Sequence, residues 1–411
     1  MSLRILHTSD WHLGLHLHQE SLQAEQQEFL NWLINTCIPQ EMPQVVLISG
    51  DVFDKTNPPT FARQMYYSFL ARLANTSVKQ VIITSGNHDS PALLDASREL
   101  LNLLNIQVIG NAPENPEECL IPVYDSKDNL QLVVAAVPFL RDQDIRFAQA
   151  EGAEHDREQL LRNGIYAYFE KAGIAAKKLA GNLPVVAMGH LFATDAGISE
   201  SERPIQLGNL AGIGSDCFPP ELFDYVALGH IHRPQEVQNK ANIWYSGSPI
   251  ALSFSEWNQP KQVRMIEIES GKLESKAVAV PLFRKLIRLE GSFEEVKSKL
   301  NAFENKHPFP AFVEIQVLEN TRQSSLGREL AQWVEELSKT RKDEFLVLAY
   351  RFSFLENRKQ LSAQTDKTNL DELKPEEVLL NLLNEEEMDE EERKNLLQVF
   401  FEICEMEGGE A

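Results

Sequence analysis

VALGHIHR, residues 226–233, decides the reading of this chain. Val226, Ala227 and Leu228 read as the end of a buried strand, and the run passes directly into His230 and His232. In extended chain, side chains at i and i+2 point the same way. Both imidazoles are therefore expected to face one spot at the carboxyl end of a strand, where open α/β sheets bind their ligands.

The same grammar, an apolar run followed by an ionisable cluster, recurs along the first 232 residues: RILHTSDWH (4–12), VVLISGDVFD (45–54), VIITSGNHD (81–89), VVAMGH (185–190) and YVALGHIH (225–232). Helical patterns lie between them, at 23–35 and 61–74, giving the βαβ rhythm of an α/β fold. LQLVVAAVPF (130–139) and IWYSGSPIALSF (243–254) are expected to add strands. At the strand ends stand Asp10 and His12, Asp51, Asn87 with His88 and Asp89, His190, then His230 and His232. Any one of these alone reads as a satisfied structural residue, but five clusters in order make a field of oxygen and nitrogen donors. That is too many donors for one cation, and points to a pair of ions bridged by a shared carboxylate.

With 411 residues the chain is long for one core, and its 43% apolar and 24% charged residues are ordinary for a soluble protein. No apolar run is long enough to cross a membrane and no secretory leader is visible, so a cytoplasmic location is expected. The scattered Cys37, Cys119, Cys217 and Cys404 fit reduced thiols better than a disulfide frame or a zinc site. Net charge is −22, and residues 366–411 hold 16 Asp and Glu against 4 Lys and Arg. The acidity is thus concentrated at one end and neither supports nor excludes a nucleic-acid substrate.

Residues 1–275 are expected to form the metal-bearing domain. Beyond them FRKLIRLEG, SFEEVKSKLNAF, AFVEIQVLE, SLGRELAQWVEELSK and EFLVLAYRFSF spell a small βαβαβ domain over 281–355, with Ser292 and Glu295 as a helix capping box. A polar linker (356–369) leads to a helical segment (370–411) with Leu379, Leu383, Leu396, Phe400 and Ile403 as apolar positions. So short an apolar helix calls for a partner.

The ordered motifs D-x-H, GD, GNHD, GH and GHIH resemble the calcineurin-like metallophosphoesterase superfamily. ILHTSDWHLG, ISGDVFD, GNHDS, PPELFDYVALGHIHR and SGSPIALSF resemble, within it, the SbcD family of nuclease subunits, over nearly the whole chain. The resemblance implies a sandwich of two mixed sheets flanked by helices, a small α+β capping domain that meets DNA, and the C-terminal helices as the docking segment for the ATPase SbcC. It assigns Asp10, His12, Asp51 and His232 to one metal and Asp51, Asn87, His190 and His230 to the other, with Asp51 bridging. Two Mn²⁺ are implied, with Mg²⁺ as the alternative. His88 would contact the scissile phosphate and protonate the leaving oxygen, and Asp89 would orient His88. Asp54 stands where archaeal and eukaryotic relatives have histidine. The activity implied is exonucleolytic and endonucleolytic cleavage of DNA ends, hairpins and single strands. A homodimer is implied, in an assembly of two subunits of each kind, and ATP would act only through SbcC, because the chain has no G-x-x-x-x-G-K-[ST] loop. Lys55, Arg284, Lys285 and Arg288 are candidates for gripping DNA.

Three other readings compete. A phosphoprotein phosphatase would continue the second motif as GDxxDRG, whereas this chain reads GDVFDKTNPP and lacks the arginine. A nucleotide or cyclic-nucleotide phosphodiesterase would use the same metals but has no need of a capping domain or helical tail. A non-enzymatic metal-stabilised scaffold has no need of His88.

Overall fold

The computed structural model describes residues 3–145, 157–192, 217–237, 242–269, 272–319 and 326–354. The expected linker and the helical segment at 370–411 lie outside them.

Two six-stranded sheets face each other. The first runs Lys272–Ala279, Gln262–Glu269, Leu3–Thr8, Val45–Ser49, Gln80–Thr84 and Ile106–Ile109 in order. The second runs Gln235–Glu236, Ile243–Tyr245, Tyr225–Gly229, Val185–His190, Leu130–Ala136 and Leu120–Tyr124. Leu3–Thr8, Val45–Ser49, Gln80–Thr84 and Ile106–Ile109 pair in parallel, as do Ile243–Tyr245, Tyr225–Gly229, Val185–His190 and Leu130–Ala136, while the remaining strands join antiparallel, so both sheets are mixed.

Alternation along the central strands produces the layering. Val45 and Leu47 enter the core between the sheets with Val186 and Met188. Val46 and Ile48 face the other way, into a core closed by helices Gln23–Trp32 and Thr60–Leu73. Val185 and Ala187 face helix Arg157–Ala180 on the opposite side. Each central strand is buried on both faces, which is why its sequence reads as an unbroken apolar run. All five cluster-bearing strands deliver their carboxyl ends to one edge of the sandwich.

Two expectations shift. The edge strand Lys272–Ala279 keeps its pairing with Gln262–Glu269 to its last residue, so the sandwich continues past 275. IWYSGSPIALSF contributes strand only over Ile243–Tyr245. Gly247 then takes φ 76° and the chain wraps inward to a turn at Phe254–Glu256.

The small domain is a three-stranded sheet, Leu286–Gly291, Ala311–Glu319 and Phe345–Phe354. Its strands are parallel throughout, as the βαβαβ order read from the sequence requires. Helices Phe293–Asn301 and Leu326–Thr340 cover one face, meeting Val313, Ile315 and Val317. Ser292 and Glu295 form the capping box. Leu286 and Phe312 point the other way and join the core of the first sheet, seating the domain on the sandwich.

Candidate metal centre

The loops after the strands are bent in a way that ordinary residues avoid. Asp10 (φ 54°), His12 (45°), Asp51 (49°) and His230 (100°) all have positive φ. Such conformations cost about 1–3 kcal/mol each and persist where surrounding structure enforces them. Enforcement is visible: Asp10 N–H donates to the Gly50 carbonyl (3.1 Å) and His12 N–H to the Asp51 carbonyl (3.0 Å). Glycine beside these residues answers to space as well as to turning. A Cβ on Gly86 would lie 2.1 Å from Asp51 Oδ1, and one on Gly229 2.0 Å from the Ser49 carbonyl oxygen.

The seven residues expected as ligands come together at this edge. His12 Nε2 lies 3.2 Å from His232 Nε2, and Asp10 completes that group. His190 Nε2 and His230 Nδ1 lie 3.0 and 3.1 Å from Asn87 Oδ1. Asp51 Oδ2 stands between the two groups, 3.5 Å from His12 Nε2 and 3.2 Å from His190 Nε2. His230 and His232 do not share one spot: the strand ends at Gly229 and the positive φ of His230 breaks the extended geometry, so each imidazole serves a different group.

Electrostatics mark the cluster as built for positive charge. At His190 burial is outweighed by Asp51, which holds the imidazole at about 9. At Asp51 burial is outweighed by His190 and His12, and the carboxyl stays well below the usual range. Burial, then the neighbouring His190, push His230 well below its ordinary value. A proton on His190 thus balances the buried Asp51 carboxylate, and a cation can take its place. The donor spacing fits: bonds of about 2.1 Å to a hexacoordinate divalent ion set neighbouring donors roughly 3 Å apart. Carboxylate, amide and imidazole donors without thiolate suit divalent metal ions.

Supporting bonds fix the donors. Asp10 Oδ2 accepts from Ser9 Oγ (2.5 Å) and Oδ1 from His230 N–H (2.9 Å). His190 Nδ1 donates to the Ser49 carbonyl (2.9 Å), so its neutral form carries the lone pair on Nε2. His88 is buried, its ring 4.7 Å from that of His12 between centroids, and its Nδ1 lies 2.8 Å from the Asp54 carbonyl oxygen.

Asp89, expected to orient His88, is engaged by three backbone amides. Its Oδ2 accepts from Val52 N–H (3.1 Å) and Gly86 N–H (2.9 Å) and its Oδ1 from Phe53 N–H (2.8 Å). It therefore ties the loop after Ser49 to the loop after Thr84, and His88 is oriented through the Asp54 backbone. The Asp54 carboxylate instead lies behind His12, Oδ1 to Nδ1 at 3.7 Å. Sequence reading missed Glu256, whose Oε1 lies 3.5 Å from His232 Nδ1. The only signal for it was a glutamate in an otherwise apolar and small-residue run, two positions past SGSPIALSF. Among the basic candidates, Arg284 is engaged by Glu25 in a buried ion pair and stacks on Phe312 (4.0 Å), and Arg288 pairs with Glu314 (3.1 Å).

Residues 3–234 match the calcineurin-like phosphoesterase family, and residues 282–387 match the Type 5 capsule protein repressor C-terminal domain. The chain is similar to the SbcD subunit of nuclease SbcCD from Escherichia coli strain K12, with 34% identity over 403 residues, 97% of each chain. It is also similar to the SbcD subunit of Rhodobacter capsulatus (36% over 278 residues, 66% of this chain and 67% of that one). That of Bacillus subtilis is 32% identical over 272 residues (66% and 67%).

Proposed function

Because the chain belongs to the calcineurin-like phosphoesterases, and within them to the SbcD nuclease subunits, we propose that it is a two-metal DNA nuclease of an SbcCD complex, hydrolysing phosphodiester bonds at duplex ends, hairpins and single strands. The observation that carries this is the position of Asp51 Oδ2 between two donor groups, Asp10, His12 and His232 on one side and Asn87, His190 and His230 on the other. Two Mn²⁺ are the preferred occupants, Mg²⁺ the alternative. Bound ions would polarise the phosphodiester and an attacking water, and Asp51 would hold both. His88, its Nδ1–H donating to the Asp54 carbonyl, is assigned the proton transfer to the leaving oxygen, which Nε2–H of its imidazolium form would make, leaving the neutral ring. Asp89 keeps the loops bearing Asp51 and Asn87 at fixed separation.

The layer at 281–355 serves as the DNA-facing cap, and the segment at 370–411, reached through the linker 356–369, docks on SbcC, through which ATP acts. A homodimer within a complex of two subunits of each kind is part of the same proposal. No described helix is long and apolar enough to cross a membrane, and the cytoplasm is the proposed location.

The deciding experiment is a nuclease assay of the purified chain on linear and hairpin DNA, with and without Mn²⁺, SbcC and ATP. Metal-dependent cleavage of DNA, extended by SbcC and ATP to duplex ends, is expected. Cleavage confined to small phosphodiesters would favour a nucleotide phosphodiesterase instead.

A further inference from the structure

Ser248, Glu256 and Lys261 form a buried polar cluster outside the donor set. Glu256 is 1% exposed and Lys261 8%, and the two are directly paired. A buried ion pair is a poor source of stability, because desolvation cancels much of its attraction. Its contacts suggest another use, since the cluster grips His232 at two places. Ser248 N–H (3.1 Å) and Lys261 Nζ (3.3 Å) donate to the His232 carbonyl. At the far side of the ring, His232 Nδ1 lies 3.5 Å from Glu256 Oε1. Glu256 is itself held, with Oε2 accepting from Leu252 N–H at 3.2 Å, and Lys261 Nζ donates to Ser248 Oγ at 2.8 Å while that hydroxyl donates to the Ile250 carbonyl at 2.9 Å.

A neutral imidazole has one lone pair to offer, and which nitrogen offers it depends on where the hydrogen goes. We infer that Glu256 is a positioning residue for His232: it takes the Nδ1 hydrogen, so that Nε2, the nitrogen facing His12 Nε2 at 3.2 Å, carries the lone pair for the metal. This is the carboxylate–histidine–metal arrangement found behind many ligating histidines. Lys261 balances the carboxylate and pins the His232 backbone. The inference rests on the assignment of Asp10, His12 and His232 to one cation, made above.

The test is Mn²⁺ titration by calorimetry on the full chain, with the His232 tautomer read by long-range ¹H–¹⁵N NMR. Glu256→Leu with Lys261→Met removes the acceptor without leaving a buried lone charge. It should weaken one of two binding events by about 10–100-fold, leave the other unchanged and mix the His232 tautomers. Glu256→Gln with Lys261→Met keeps an oxygen acceptor and should restore both affinity and tautomer. Wild-type affinities for two ions in the Leu/Met variant would overturn the inference. So would an Nε2–H tautomer in the wild-type protein, a measurement that needs no variant to fold. His232→Ala separates the two layers of the argument: if it too binds two ions normally, the ligand assignment is at fault; if it loses one and the Leu/Met variant does not, the role of Glu256 alone fails.

Discussion

The edge of the sandwich and the capping layer are built from the same alternation of strand and helix, yet they use it in opposite ways. In the cap the backbone is regular: a capping box starts one helix, parallel strands stay in register but for one shift at Val313/Glu314, and apolar residues collect on the helix-covered face. At the sandwich edge four of the donor residues hold positive φ, and buried carboxylates and imidazoles lie about 3 Å apart. The difference is one of support. Strands buried on both faces anchor the loops between two cores, so a conformation that would relax elsewhere is retained there. The cap, with helices on one face, has less surrounding structure to enforce strain and shows little of it.

The comparison breaks first at Asp51. Asp51→Asn should abolish hydrolysis and leave fewer than two bound Mn²⁺ by elemental analysis; a full complement of two would remove the bridging assignment. Next comes His88→Asn, which takes away a proton donor but no ligand. Its rate should fall by ~10²- to 10⁴-fold with metal content unchanged, and loss of a metal would make His88 a ligand.

A smaller effect comes from His7, wholly buried between the sheets, where burial and then Arg264 lower its pKa to about 3 from 6.5. The folded value is depressed, so below pH 6.5 the unfolded chain takes up the proton first. Stability from this residue is therefore complete above pH 6.5 and declines as pH falls toward 3, by about 1.4 kcal/mol per unit. Urea midpoints measured across that range should fall less steeply for His7→Gln; equal slopes would show that other groups carry the acid sensitivity. The smallest effect belongs to the cap. A Cβ on Gly327, in the first turn of helix Leu326–Thr340, meets nothing within 4 Å. Gly327→Ala should raise stability by roughly 0.4–1 kcal/mol in thermal melts without changing activity, in contrast to the clash expected at Gly86.

Legibility followed the same divide. The cap could be read element by element because amphipathic helices and a capping box are local signals. The donor residues could be read because apolar strands run directly into them. What escaped depended on folding at a distance or on backbone angles. The separation of His230 from His232 hangs on one positive φ, and Asp89 turned to three amides that the sequence does not mark as neighbours. The run at 243–254 was expected to be strand, whereas beyond Tyr245 the chain wraps inward. Arg284 looked available for a phosphate, but Glu25, 259 positions away, holds it.

The three amides on Asp89 carry a further consequence. Loops ordinarily wander more than the strands they join, and two loops moving independently would let the separation of Asp51 and Asn87 fluctuate. One carboxylate clasping Val52, Phe53 and Gly86 turns the two loops into a single mechanical part. Asp51 and Asn87 each neighbour an amide so clasped, and the spacing on which the proposed pair of cations depends is thereby set by one side chain.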